Sequence, residues 1–219
     1  MIIESRAVPP FQKNGFVVAC ERTRQAVLID PGDEVDDLLV FARKSALDVR
    51  GILLTHAHLD HVSGVGAAKR ALPGDVPIWL HRDDLPLYEH VEQQGMMFGI
   101  KVDRQPPVDR YYDGSPITFG DYTVTVHHTP GHCAGGVCLQ IGPSGATGMD
   151  LFVGDTLFAA SVGRTDLPGG DYATLMRSIT QVLFGLGDDA VVHPGHGPDT
   201  TIRRERTTNP FVLEYFAGR

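Results

Sequence analysis

The sequence predicts a layered α/β protein, on three observations. Short apolar, strand-like runs occur before, between and after helix-like stretches, as expected when helices pack on sheets. Most of these runs close on a Pro/Gly turn, which ends a strand and redirects the chain. No repeat, low-complexity tract or linker interrupts the 219 residues, so a single domain spanning 1–219 is expected.

The elements follow in order. "GFVVAC" (15–20) and "QAVLID" (25–30), separated by the charged "ERTR", read as a β-hairpin stopped by "PGD". Residues 33–48 place Val35, Leu38, Leu39, Ala42 and Ala46 at helical spacing, with acidic residues in the first turns. "VRGILLT" (49–55) reads as a buried strand. A helix over 63–72 follows with Ser63 as its N-cap, then a strand over 76–81. Residues 86–114 mix helix and loop and carry "GMMFGI", which could form a hydrophobic wall or a core turn. Residues 115–129 alternate about Gly120-Asp121 as a hairpin. Strands over 136–142 and 149–155 flank a Gly/Ser-rich turn, an amphipathic helix runs from 171 to 186, and 189–197 is a strand plus turn before a short basic helix.

Bulk composition narrows the function classes. The chain is 42% hydrophobic and 21% charged, ordinary for a protein with a core. A net charge of −8 argues against binding a nucleic-acid backbone, which needs clustered Lys and Arg. No run approaches the ~20 apolar residues of a membrane span. The opening "MIIESRAVPPF" lacks a signal-peptide pattern, and three cysteines without a C-x-x-C pair fit a reducing compartment. A cytoplasmic protein acting on a small molecule, as a monomer or small homo-oligomer, is therefore expected.

Ten histidines are the compositional oddity. "THAHLDH" brings His56, His58, Asp60 and His61 together just past an apolar strand. Three further strand ends carry metal-type side chains in Pro/Gly turns: His132 in "TPGHC", Asp155 in "FVGD" and His196 in "PGHG". Loops at one edge of a sheet can converge on a site. Seven N and O donors exceed the four or so that one zinc ion takes, and suit two divalent ions sharing a carboxylate. A water held between such ions is deprotonated near neutral pH. Asp155, with two oxygens, is the natural bridge. In an extended segment His56 and His58 point the same way, whereas Asp60 and His61 follow a turn and can face a second ion.

"THAHLDH", "TPGHCAGG", "FVGD" and "PGHG", in this order and over most of the chain, resemble the metallo-β-lactamase-fold superfamily. The resemblance implies a four-layer αββα sandwich of two mixed sheets flanked by helices. It implies one metal on His56, His58 and His132 and another on Asp60, His61 and His196. Asp155 bridges them, and Asp60 and Asp155 are the carboxylates of the catalytic centre. Zinc is the expected metal, with iron or manganese open to the same donors.

Two stretches, 154–171 and 196–212, resemble the short bacterial branch of glyoxalase II-like proteins. That likeness implies hydrolysis of S-D-lactoylglutathione or a related acyl thioester. Arg164 stands where the family has a glutathione contact. The C-terminal glutathione-binding helical domain of the long enzymes is not expected, and Arg203, Arg204 and Arg206 could replace its charge or form a solvated helix face. The alternatives are a mononuclear Fe(II) persulfide dioxygenase using His56, His132 and Asp155, since "GRTD" follows the bridging Asp in those proteins too, or another hydrolase such as a lactonase.

Overall fold

A computed structural model describes residues 1–147 and 149–218. The chain divides into two compact units, one of Met1–Asp113 with Thr118–Tyr122, the other of Gly114–Ile117 with Thr123–Arg219.

In the first unit the elements are β1 (Ile2–Arg6), β2 (Gly15–Ala19), β3 (Gln25–Ile29), α1 (Val35–Lys44), β4 (Asp48–Leu53), α2 (Leu59–Val62), α3 (Val65–Ala71), β5 (Ile78–Leu80), α4 (Leu85–Glu89), α5 (Val91–Met97) and β6 (Arg110–Tyr111). They form a mixed six-stranded sheet in the order β1-β2-β3-β4-β5-β6. The β2–β3 hairpin is antiparallel, with Phe16 opposite Ile29. β3 and β4 are parallel, with Ile29 opposite Leu53. A parallel pair needs a crossover, and α1 supplies it, burying Val35, Leu38, Leu39 and Ala42. Asp36 and Asp37 in its first turn and Arg43 and Lys44 in its last complement the helix dipole. It ends sooner than the pattern suggests because Ala46 takes a left-handed φ of 49°. Ser63 does not cap α3: residues 59–62 first make a separate turn, and Ser63 Oγ donates to Asp33. Gly64 precedes α3 instead.

The second unit's sheet runs β14-β13-β10-β9-β8-β7, from β7 (Ile117–Phe119), β8 (Tyr122–His128), β9 (Val137–Pro143), β10 (Asp150–Gly154), β13 (Val191–Pro194) and β14 (Thr200–Thr201). A small hairpin, β11 (Leu157–Phe158) with β12 (Ser161–Val162), follows β10. Gly148, in the Gly/Ser-rich stretch read as a turn before β10, lies outside the described residues. The helices are α6 (Tyr172–Arg177), α7 (Ile202–Thr208) and α8 (Pro210–Ala217). The helix expected over 171–186 begins regularly, with Asp171 accepting Thr174 N at 2.7 Å. It then loosens into a π turn over Ser178–Val182 and a 3-10 turn over Leu183–Leu186. Thr180 Oγ1 donates back to the Met176 carbonyl four residues earlier, and such back-bonding bends helices, while Ser178 Oγ donates to the Pro130 carbonyl of the loop after β8.

Each unit has its own apolar core. Val17, Leu28, Leu38, Ile52 and Val65 belong to the first; Leu151, Val153, Leu175, Ile179 and Val192 belong to the second. Each such side chain contributes on the order of 1.5–3 kcal/mol when withdrawn from water. These cores hold the strand ends that carry the candidate site. Among the described residues no helix is long and apolar enough to cross a membrane.

Candidate metal centre

In the first unit, the chain bends at Thr55 beyond β4 and His58 has an extended backbone (φ −70°, ψ 152°). Alternate residues then share a face, and the rings of His56 and His58 lie 4.9 Å apart, edge to face. The α2 turn brings His61 back, its ring centroid 3.9 Å from that of His56. Asp60 Oδ2 lies 3.8 Å from His61 Nε2. Three hydrogen bonds fix this loop: Ala57 N donates to the buried Asp84 at 2.9 Å, Leu59 N donates to Gln94 Oε1 at 3.0 Å, and Gln94 Nε2 donates to the Ala57 carbonyl at 3.1 Å.

Asp30 orients the imidazoles. The parallel pairing of β3 and β4 brings their C-terminal ends out side by side, so Asp30 meets Thr55. Asp30 Oδ1 accepts from Thr55 N at 2.7 Å and Oδ2 from Thr55 Oγ1 at 2.5 Å. Oδ2 also takes His61 Nδ1 at 2.9 Å. With its proton given to Asp30, Thr55 Oγ1 accepts from His56 Nδ1 at 3.1 Å. Donor atoms of Asp30, His56 and His61 cluster within 4.8 Å. Both Asp30 oxygens are committed to these bonds, so its part is to point the two rings. Sequence reading missed Asp30; the available signal was a carboxylate ending a fully apolar strand beside the one that leads to His56.

In the second unit the same topology recurs. β10 and β13 are parallel with Gly154 opposite Pro194, and Gly195 N donates to the Gly154 carbonyl at 2.8 Å. Asp155 and His196 therefore emerge together, with His196 Nε2 3.5 Å from Asp155 Oδ2. His132 sits on the loop between β8 and β9, closed by Thr129 N donating to the Gly136 carbonyl. Its Nδ1 donates to the Arg164 carbonyl at 2.8 Å, and its Nε2 lies 3.7 Å from Asp155 Oδ2. Gly163 makes this approach possible: a Cβ there would sit 1.8 Å from the Asp155 carbonyl oxygen and 3.3 Å from His132 Nδ1.

These spacings test whether the residues suit a metal ion. The N···O separations of 3.5, 3.7 and 3.8 Å exceed the 2.7–3.2 Å or so of an N–H···O hydrogen bond. Two ligands about 2.0–2.2 Å from one ion, at a tetrahedral angle, lie roughly 3.3–3.6 Å apart. The 3.5 Å pair falls inside that range and the 3.7 and 3.8 Å pairs lie just beyond it, closer to the spacing of ligands on one ion than to that of a hydrogen bond. Bonds to Nδ1 behind His56, His61 and His132 fix the tautomer and aim of each ring, as metal-binding histidines require. Imidazole and carboxylate donors in both units fit a divalent ion of the Zn, Fe or Mn type.

Arg164 is exposed and makes a bidentate pair with Asp166, both bonds at 2.7 Å. Those guanidinium hydrogen bonds hold the Asp166 carboxyl down at about 2. Arg203 and Arg206 pair with Asp189 and Asp188 at 2.6 and 2.9 Å, while Arg204 is exposed. His127 bonds Gln140, and His193 reaches both Asp150 and Asp199. Cys133 and Cys138 are buried, and burial pushes the Cys138 thiol well up. "GMMFGI" is no core turn: Met96, Met97 and Phe98 are 77%, 76% and 52% exposed. A cleft of about 490 Å³ in the first unit is lined by Arg70, Tyr88, Glu89, Arg104 and Tyr111, and by none of the candidate ligands.

The metallo-beta-lactamase superfamily model matches residues 8–196, and the chain belongs to that superfamily. It is a metal-dependent hydrolase of that fold, and the two mixed sheets flanked by helices that the resemblance implied are present, each of six strands. The chain is 36% identical over 216 residues to hydroxyacylglutathione hydrolase GloC of Haemophilus influenzae, covering 97% of this chain and 98% of that one. Among solved structures, it is similar to BLEG-1 B3 metallo-beta-lactamase, with a TM-score of 0.86, 33% identity, and 96% and 99% of the two chains covered. It is also similar to TTHA1623 in a di-iron-bound form, with a TM-score of 0.82, 40% identity, and 95% and 99% covered.

Proposed function

We propose that this chain is a glyoxalase II-like thioester hydrolase, cleaving S-D-lactoylglutathione or a related acyl thioester. His56, His58 and His132 would hold one divalent ion and Asp60, His61 and His196 another, with Asp155 shared. The observation that carries the reading is the donor geometry itself. Three histidine–carboxylate separations lie at or just beyond the spacing of two ligands on one ion, and the Nδ1 sides of His56, His61 and His132 are tied down. Identity of 36% to a hydroxyacylglutathione hydrolase across nearly all of both chains supports the substrate class.

A bound pair of ions supplies a nucleophilic water at neutral pH and a Lewis acid for the thioester carbonyl. The protein's contribution is orientation. Asp30 and Thr55 hold His61 and His56 through Nδ1, the Arg164 carbonyl does the same for His132, and Asp84 and Gln94 keep the loop backbone from shifting. No side chain need protonate the leaving group, because a thiolate departs readily with a conjugate-acid pKa of ~8.5. Arg164 is the proposed anchor for the substrate's anionic end. An incoming carboxylate would take the place of Asp166 on the guanidinium fork, so Arg164→Ala raises KM with little loss in kcat.

Purified, metal-loaded protein should release free thiol from S-D-lactoylglutathione with no oxygen consumed. Oxygen uptake with glutathione persulfide, by protein carrying about one iron per chain, would replace this reading with the dioxygenase one. Turnover of a lactone without thioester cleavage would replace it with a lactonase.

A further inference from the structure

We propose that the buried Lys13–Glu34 ion pair positions the histidine cluster of the first unit and sets how tightly it holds a divalent ion. The inference rests on the reading of that cluster as metal-binding. Lys13 and Glu34 are each 2% exposed, with Nζ and Oε1 2.6 Å apart. Withdrawing an ammonium and a carboxylate from water costs several kcal/mol per ion, and a well-packed apolar pair often serves stability as well or better. Stability alone therefore gives no reason for charges here. Geometry does.

Lys13 Nζ donates a second hydrogen bond, to the Asp30 main-chain carbonyl. Glu34 Oε1 accepts a second one, from Gly32 N at 2.9 Å. The pair thus grips segment 30–34 at both ends. Asp30 within it takes a left-handed φ of 48°, a conformation uncommon outside glycine and most accessible to Asp and Asn. That backbone setting aims the Asp30 carboxylate at Thr55 and His61, and through Thr55 at His56.

The Asp60 backbone packs against the segment that Lys13 holds. A Cβ on Gly32 would lie 1.9 Å from the Asp60 carbonyl oxygen and 3.0 Å from Lys13 Cε, so both crowd the space that a side chain at position 32 would fill. The lysine thus sets the segment that orients His56 and His61 and against which the Asp60 backbone packs. Lys13 acts on the imidazoles through Asp30 and is a positioning residue.

The test is the double variant Lys13→Met with Glu34→Gln. It removes both charges, keeps similar volume, and leaves an acceptor for Gly32 N. Zn²⁺ affinity is read by competition with a chromophoric chelator, Co²⁺ coordination by its visible absorption spectrum, and folding by Tm. The expected result is a Tm close to wild type, Zn²⁺ bound about 10–100-fold more weakly at one site, and an altered Co²⁺ spectrum. Wild-type Zn²⁺ affinity with an unchanged Co²⁺ spectrum overturns the inference. Should the double variant fail to fold, Glu34→Gln alone decides: several-fold weaker Zn²⁺ binding supports the proposal, and unchanged binding overturns it. If wild-type protein binds no metal, the metal-centre reading fails instead, and the two failures are distinct.

Discussion

Asp30→Asn is the sharpest probe of how the imidazoles are held. The substitution keeps an amide oxygen for Thr55 N, now at 2.7 Å from Asp30 Oδ1. It replaces the other oxygen with an NH₂ group facing Thr55 Oγ1 and His61 Nδ1, at present 2.5 and 2.9 Å away. Two donors then confront the imidazole N–H and the hydroxyl proton. A hydrogen bond to a charged group is worth about 1.5–3 kcal/mol, and each 1.4 kcal/mol or so is a factor of ten in an equilibrium constant. Losing the His61–Asp30 bond should therefore weaken one metal ion by about 10–100-fold or slightly more, in line with what loss of such an outer partner costs elsewhere. Chelator competition with Zn²⁺ measures this directly, and Tm of the metal-free protein reports the fold separately. Undiminished Zn²⁺ affinity in a folded Asp30→Asn protein would refute the orienting role of the Asp30 carboxylate.

Asp155→Ala removes the oxygen lying 3.5 and 3.7 Å from two histidine nitrogens, and should lower metal content by elemental analysis and thioesterase activity together; full activity would rule out a shared carboxylate. Gly163→Ala forces a methyl group to within 1.8 Å of the Asp155 carbonyl oxygen, so it should lower Tm by an amount equivalent to about 1–3 kcal/mol or more and displace His132. The Asp166 carboxyl should titrate by NMR near 2, where Arg164 holds it, rather than near its ordinary 3.8. Because its folded value is depressed, the pair's contribution is present above pH 3.8 and is lost as pH falls through about 2. Titration near 4 in the folded protein would show that the Arg164–Asp166 fork does not persist in solution.

The strands and the donor residues were legible because their signals are local. Apolar runs closed by turns gave β2, β3, β4, β9, β10 and β13 within a residue or two at most ends, since burial on both faces demands an unbroken apolar stretch. The H-x-H-x-D-H spacing is local too, and the extended backbone at His58 follows from it. What the sequence hid depends on neighbours far along the chain. Asp30 meets Thr55 only because β3 and β4 lie parallel in register. Lys13 and Glu34 stand 21 positions apart, and either alone reads as a surface charge. The break in the helix after Arg177 coincides with the Ser178 hydroxyl bonding a distant loop at Pro130 and the Thr180 hydroxyl bonding back to Met176. Arg203 and Arg206 resemble a free basic face until the turn at Asp188 and Asp189 is seen to meet them.

The central claim is that histidines and aspartates at these strand ends bind a pair of divalent ions. X-ray absorption and elemental analysis of the purified protein test it most directly. The account predicts two ions per chain in an N/O environment with no sulfur ligand, with a metal–metal separation of roughly 3.5–4 Å. That signal should halve or vanish in Asp155→Ala. Protein that stays metal-free in excess Zn²⁺, Fe²⁺ and Mn²⁺, or that binds metal equally well without Asp155, would contradict it.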